Sequence, residues 1–157
     1  MVDVLRVIHL LAAAVWVGGT VALVLAGVPA VRKLEGEARA TAMRALGRRW
    51  RPLGWSAMGV AIVSGLWITD EHGGFAAEAR STDFVQTLIW KSALVVLLCA
   101  GAIVHDYVLG PKLQRKLRER APDAAQTRRR LIVVGWFNFA LTLAVPILGV
   151  VALSYLD

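Results

Sequence analysis

The sequence is poor in the residues and motifs that mark most catalytic or disulfide-stabilised domains. Its one cysteine, Cys99, excludes an internal disulfide and a zinc site built from cysteines. It contains no Ser–His–Asp pattern, phosphate-binding loop or HExxH motif, so catalysis finds little support. It also lacks low-complexity segments and linkers, and we therefore expect a single domain over residues 1–157.

Charge is scarce along four apolar stretches, although the chain as a whole carries a net charge of +7. A basic chain can indicate nucleic-acid binding, but no basic surface interleaved with aromatics is present, so nucleic acid is not an expected partner. Each apolar stretch can cross a hydrocarbon core of ~30 Å as a helix of about 20 residues. The predicted spans are residues 4–28, 52–69, 84–109 and 131–156.

The basic residues are concentrated in two connections between these spans. Residues 31–51 and 110–130 hold 15 of the 18 lysines and arginines, and both connections fall on one side of a four-span protein. The positive-inside rule places both basic loops in the cytoplasm and both termini on the periplasmic or extracellular side. We therefore predict an all-α, integral membrane four-helix bundle, N-out and C-out, in a bacterial-type inner membrane, with the lipid bilayer as its partner.

Small residues and prolines indicate how the spans pack and where they bend. Pro29 is expected to end the first span, and Pro146 is expected to kink the fourth. Small residues at four-residue spacing let helix backbones approach closely in lipid. Such stripes occur in the first span at Ala14 and Gly18, and in the second at Ala57, Ala61 and Gly65.

Three ionisable residues lie inside the predicted spans, and Asn138 is a weaker fourth polar candidate. A charged group at the centre of a span costs about 2.5–3.5 kcal/mol on insertion scales, so such groups usually face a partner or cavity. At 1.5 Å per residue, His9 and Lys91 lie roughly 8 Å and 10 Å below the outer surface. His105 lies 14 residues, almost four turns, beyond Lys91, which places both on one face of the third span.

The surroundings of His9 suit a flat apolar ligand that bears carboxylates. Ala12 and Ala13, followed by Trp16, leave a slot beside the imidazole. A b-type haem fits this pattern, with His9 on the iron and basic side chains on the propionates: Lys91 on one and Arg6 on the other. Three simpler interpretations stay open: Lys91 reaches the outer interface, His9 is a hydrogen-bonded interior residue, and His105 has an interfacial role beside Asp106.

Three segments resemble, in order, those of a known family. They are "IHLLAAAVWVGG", "RRWRPLGWSAMGVAIVSGLW" and "WKSALVVLLCAGAIVHDYVLGPKL", which begin at residues 8, 48 and 90. The chain resembles the CopD-like (copper resistance D) membrane proteins, a superfamily that includes the HemJ-type protoporphyrinogen oxidases. The resemblance implies that His9 is a candidate haem ligand and that Lys91 is its functional partner.

We expect a protein that binds haem b in the outer half of the bundle and acts in electron transfer or as a haem-dependent oxidoreductase. His9 would be an axial ligand, with Lys91 as propionate partner or second ligand, and His105 would ligate a second haem or serve an inner proton path. The first alternative is a copper transport or resistance protein that uses His9, His72 and the acidic outer loop. Soft copper(I) ligands inside the spans are limited to Cys99 and Met58, which argues against it.

A third alternative is a membrane scaffold without a ligand. A redox partner and a homo-oligomer remain open.

Overall fold

The computed structural model describes residues 2–76 and 82–155, and these ranges are helical apart from short turns. Four helical stretches are long and apolar enough to cross a membrane: Asp3–Arg32, Gly36–Glu71, Asp83–Arg118 and Ala124–Ala152. The described residues contain no strand. The all-α class and the four predicted membrane-spanning helices are therefore confirmed, whereas the side on which the termini lie stays a prediction.

Six α-helices and two π-helical segments make up these stretches. The helices are α1 (Val2–Ala22), α2 (Val28–Arg32), α3 (Gly36–Glu71), α4 (Asp83–Ile103), α5 (Gly110–Arg118) and α6 (Ala124–Leu153). The first π segment (Leu23–Gly27) joins α1 to α2, and the second π segment (Val104–Leu109) joins α4 to α5. The basic part of α3 is helical because alanine, arginine and glutamate have high helix propensity.

Each π segment is followed at once by a proline in the first turn of the next helix. Pro29 stands in the first turn of α2 and Pro111 in the first turn of α5. A proline in a first turn leaves out a backbone donor that an α-helix does not use there, and the preceding π turn shifts the hydrogen-bond register. Pro29 therefore does not end the helix, which continues to Arg32.

The chain divides into two compact units, Met1–Val85 and Gln86–Asp157. We call them the first and the second hairpin, because each contains a long helical stretch that turns back into a second one. In the first hairpin α1 packs along α3. In the second hairpin α6 packs against the second π segment and α5.

Large apolar side chains cover the outside of both hairpins. Leu10, Val63, Val96 and Val150 are all exposed, and each lies within a long helix. An exposed apolar surface of this extent is unfavourable in water but suits hydrocarbon. The surface is therefore consistent with association of these helices with a lipid bilayer.

The face that α1 turns toward α3 differs from the predicted stripe of small residues. Ala14 and Gly18 are exposed, and a Cβ added to Gly18 would meet nothing within 4 Å. The buried residue is Ala12, and Gly19 lies against the Trp50 ring of α3. Within the first hairpin, α1 therefore meets α3 through His9 and Gly19 and not through the predicted pair Ala14 and Gly18.

A salt bridge closes the turn between α5 and α6. Lys116 Nζ donates to the Asp123 carboxylate and, at 3.0 Å, to the hydroxyl of the buried Thr127. Pro122 lies in the turn itself, between the end of α5 and the start of α6. The hydrogen bond from Lys116 is the main cause that lowers the pKa of the Asp123 carboxyl below its ordinary value.

We expect the contribution of Asp123 to stability to disappear in acid. Because its pKa is lowered in the folded protein, the stabilisation is present above the ordinary carboxyl pKa of about 3.9 and is lost as the pH falls through the lowered value. Asp123→Asn should speed amide hydrogen exchange in residues 116–127 at pH 7, and this effect should shrink as the pH is lowered into the acid range. An equal effect at pH 7 and in acid would contradict this.

Candidate functional site

His9 is held by the neighbouring helix of the first hairpin. Its Nδ1 lies 2.9 Å from the carbonyl oxygen of Ala61 and 3.1 Å from the hydroxyl oxygen of Ser64. The imidazole lies directly over Gly65, where an added Cβ would come within 3.0 Å of His9 Cε1. Close approach of α1 to α3 at this level therefore depends on the glycine, and the ring is oriented by polar groups one turn apart on α3.

These contacts fix the tautomer of a neutral His9. A carbonyl oxygen only accepts, so Nδ1 must donate its hydrogen to Ala61. Ser64 donates its own hydroxyl hydrogen to the Val60 carbonyl, at 2.6 Å, so its oxygen can also accept from Nδ1. Nε2 then carries the lone pair. A histidine that ligates a metal usually donates its other ring N–H to a carbonyl or carboxylate in this way.

Arg6 and His72 meet at the end of the first hairpin where α1 begins and α3 ends. Arg6 Nη2 donates to His72 Nε2 at 2.9 Å, and His72 Nδ1 donates to the Ile68 carbonyl at 2.7 Å. Both ring nitrogens of His72 are thus engaged, and a metal on this histidine would have to displace Arg6. Arg6 itself, expected on a haem propionate, lies one helical turn before His9 on α1.

Lys91 faces a glycine in the second hairpin. Its Nζ would lie 3.3 Å from a Cβ added to Gly149 of α6, and the residue is half-buried. Among the residues that the structure describes, its ammonium has no hydrogen-bond or ion-pair partner. Lys91 therefore places its amine against Gly149 of α6 within a span.

His105 and Asn138 interlock across the same two helical stretches. His105 Nδ1 lies 2.9 Å from the Asp106 carboxylate, and its Nε2 is 3.4 Å from the position of a Gly135 Cβ. Asn138 Oδ1 lies against Gly101, where a Cβ would come within 2.1 Å. This oxygen is buried and accepts no hydrogen bond from any residue in the described ranges.

Every polar residue singled out inside the spans thus packs on a glycine of the opposite helix. The 14-residue spacing of Lys91 and His105 matches that of Gly149 and Gly135, because antiparallel helices meet at equal intervals. The sequence interpretation missed most of these partners, since a glycine in a span reads only as a small residue. The partners are Gly65, Ser64 and Ala61 for His9, Gly149 for Lys91, Gly135 for His105 and Gly101 for Asn138.

The two hairpins place His9 and Lys91 at equivalent positions. His9 lies 20 residues before Pro29, and Lys91 lies 20 residues before Pro111. Each is followed by a π segment, then by the proline, and each faces a glycine on the returning helix. The second hairpin therefore carries an amine where the first carries an imidazole.

Among the described residues, no group of three or more histidines, cysteines or acidic residues has an arrangement that could hold a metal ion. Part of the acidic connection that the sequence predicts to be an outer loop, residues 77–81, lies outside the described ranges. Trp16 is half-buried on α1. Its predicted role, and the predicted sharing of one haem by His9 and Lys91, stay predictions.

The described residues form four apolar helices of membrane-spanning length, with imidazoles and an amine packed between helices. These features define a small multi-pass membrane protein with polar sites inside its spans. The family model for copper resistance protein D, CopD, matches residues 43–153, which is 111 of the 157 residues. The chain belongs to this family. No curated protein and no solved structure matches it.

The family match bears directly on the sequence predictions. It confirms the resemblance to CopD proteins and favours the copper alternative over the expected haem protein. The relation to the HemJ-type oxidases stays a prediction. The matched region runs from within α3 to the end of α6 and includes Lys91, His105 and Asn138. His9 lies before the matched region, on α1, and contacts that region through the Ala61 carbonyl of α3.

Proposed function

We propose that the protein is a copper resistance-type membrane protein that carries copper as its cargo and binds it through Nε2 of His9. The observation that supports this most is the bond from His9 Nδ1 to the Ala61 carbonyl. Imidazole is a good ligand for copper, and the family of the chain points to the same metal. Copper thus takes the place of haem, which the sequence favoured, as the ligand proposed first.

The residues around His9 would prepare the imidazole for this role. The Ala61 carbonyl accepts the Nδ1 hydrogen, which increases the basicity of Nε2 and fixes the plane of the ring. The Ser64 hydroxyl lies 3.1 Å from the same Nδ1 and so restricts rotation of the imidazole ring. Because Gly65 has no side chain, the ring can occupy the space above it. Loss of such outer contacts typically lowers metal affinity by about 10- to 100-fold.

His105 is a second proposed copper-binding residue, at a position of its own within the second hairpin. The Asp106 carboxylate accepts from its Nδ1, which again leaves the lone pair on Nε2. The π segment that contains His105 adds a turn with a different hydrogen-bond register, a feature that is frequent at functional sites.

The test is copper binding by the purified protein in detergent. We expect His9→Ala to weaken Cu(II) binding by at least about tenfold and to reduce the nitrogen couplings in the electron paramagnetic resonance spectrum, because one nitrogen ligand is lost. His72→Ala is the matched control. It removes an imidazole that already uses both nitrogens, and it should change affinity less than about twofold. Equal binding by wild type and His9→Ala would refute the assignment.

A b-type haem on His9 is the second candidate, and Arg6 favours it. The guanidinium lies one turn outward from the imidazole and is held there by His72, where a propionate could meet it. In this proposal Trp16 lies beside the haem, and the role is electron transfer or haem-linked oxidation with a redox partner. The same purified samples decide, because haem would produce a Soret band that disappears in His9→Ala.

A further inference from the structure

An open apolar groove runs along the second hairpin where α6 passes out of its basic first turns. It has a volume of about 510 Å³ and is lined on one side by the second π segment and on the other by α6. Its apolar walls are Val104, Leu109, Val133 and Val134. Ligand pockets commonly have volumes of about 300–1,000 Å³, so the groove can hold a substantial part of an apolar chain.

The π segment supplies one wall of the groove. Val104 and Leu109 are the first and last residues of this segment. A π turn has more residues per turn than an α turn, so the helix is wider there and the side chains at its two ends are displaced from the regular α-helical rows. The result is a gap beside α6 that regular helix packing would fill.

One side of the groove carries two arginines, whose apolar stems line it and whose guanidinium groups can reach a headgroup at its edge. Arg129, Arg130 and Gln126 line it, all three exposed, within the first two turns of α6. Val133 follows about one turn further along the same helix and is exposed among the apolar span residues. Arginine presents several N–H donors in a fixed fork that matches the oxygens of a phosphate.

We propose that this groove binds one anionic phospholipid, with the phosphate on Arg129 and Arg130 and an acyl chain against Val104 and Val133. The change from arginines to apolar walls follows the change from headgroup to hydrocarbon in a bilayer. The walls are open toward the exposed apolar surface of the second hairpin, so a lipid can enter from the membrane. A soluble anion would use the arginines but leave the apolar walls unoccupied.

Native mass spectrometry of the protein in a mild detergent tests the proposal, with phosphatidylglycerol and phosphatidylcholine as probes. We expect wild type to retain one phosphatidylglycerol at least about fivefold more tightly than phosphatidylcholine. The double variant Arg129→Gln, Arg130→Gln should lose about 30-fold of the phosphatidylglycerol affinity, since two basic residues at a membrane surface together contribute about 2 kcal/mol. Val133→Trp should fill the groove and weaken retention without a change in charge.

Two matched controls distinguish binding of a lipid in the groove from general electrostatic attraction of the lipid to basic residues. Arg48→Gln, Arg49→Gln removes the same charge from exposed positions in α3, and it should change retention less than about twofold. Val150→Trp adds the same ring at an exposed position elsewhere on α6. Equal losses in both double variants, or no effect of Val133→Trp, would overturn the proposal. Equal retention of the two lipids, or displacement of the lipid by inorganic phosphate, would also overturn it.

Discussion

Replacing Gly65 by leucine is expected to weaken copper binding by at least about tenfold while the hairpin loses stability. A Cβ at this position would already come within 3.0 Å of His9 Cε1, and the longer side chain would take the place of the ring. His9 would then lose its bond to the Ala61 carbonyl, together with the orientation of Nε2. Overpacking of this kind costs about 1–3 kcal/mol. The measurements are Cu(II) titration and the free energy of unfolding in mixed micelles.

Gly59→Leu is the matched control on the same helix. A Cβ at Gly59 would meet nothing within 4 Å, so this variant gains the same helix propensity and meets no steric contact. We expect its copper affinity and its stability to be at least those of wild type. Gly65→Ala is the milder variant if the leucine variant does not fold. Unchanged copper binding by a folded Gly65 variant would show that the packing of His9 on α3 does not matter for the metal.

The spans and the helical class were predictable because hydropathy is a local property. Four stretches of about 20 apolar residues are visible in the sequence without knowledge of any contact. The structure adds that the helices extend well beyond the spans, since the basic segment before residue 52 belongs to α3. Helix propensity and hydropathy are separate signals, and a span read from hydropathy alone ends where the charges begin.

The partners of the polar residues were not predictable, because they depend on how each helix is rotated. His9 was singled out correctly as a polar residue in an apolar span, but its partners lie 52 and 55 residues away on α3. The expected stripe through Ala14 and Gly18 failed for the same reason. One signal was present: His9 and Lys91 both lie 20 residues before a proline, which relates the two hairpins to each other.

Gly19→Ala is expected to destabilise the first hairpin by about 1–3 kcal/mol relative to Gly18→Ala, although the two glycines are adjacent on α1. A Cβ at Gly19 would lie 2.1 Å from Trp50 Cη2, whereas one at Gly18 would meet nothing within 4 Å. The other edge of the indole lies close to Gly54, 3.1 Å from the position that a Cβ would take there, so the rigid ring sits between the two glycines. The difference in unfolding free energy, measured by titration with a denaturing detergent, gives the result.

A second substitution tests whether the indole itself is the cause. In the background of Trp50→Leu, Gly19→Ala should cost much less than in wild type, because the smaller side chain leaves room for the added methyl group. A cost that is the same in both backgrounds would mean that α1 does not approach α3 through Gly19. Since the contact of α1 with α3 also places His9 over Gly65, Gly19→Ala should weaken copper binding in proportion to the stability it removes, and Gly18→Ala should not.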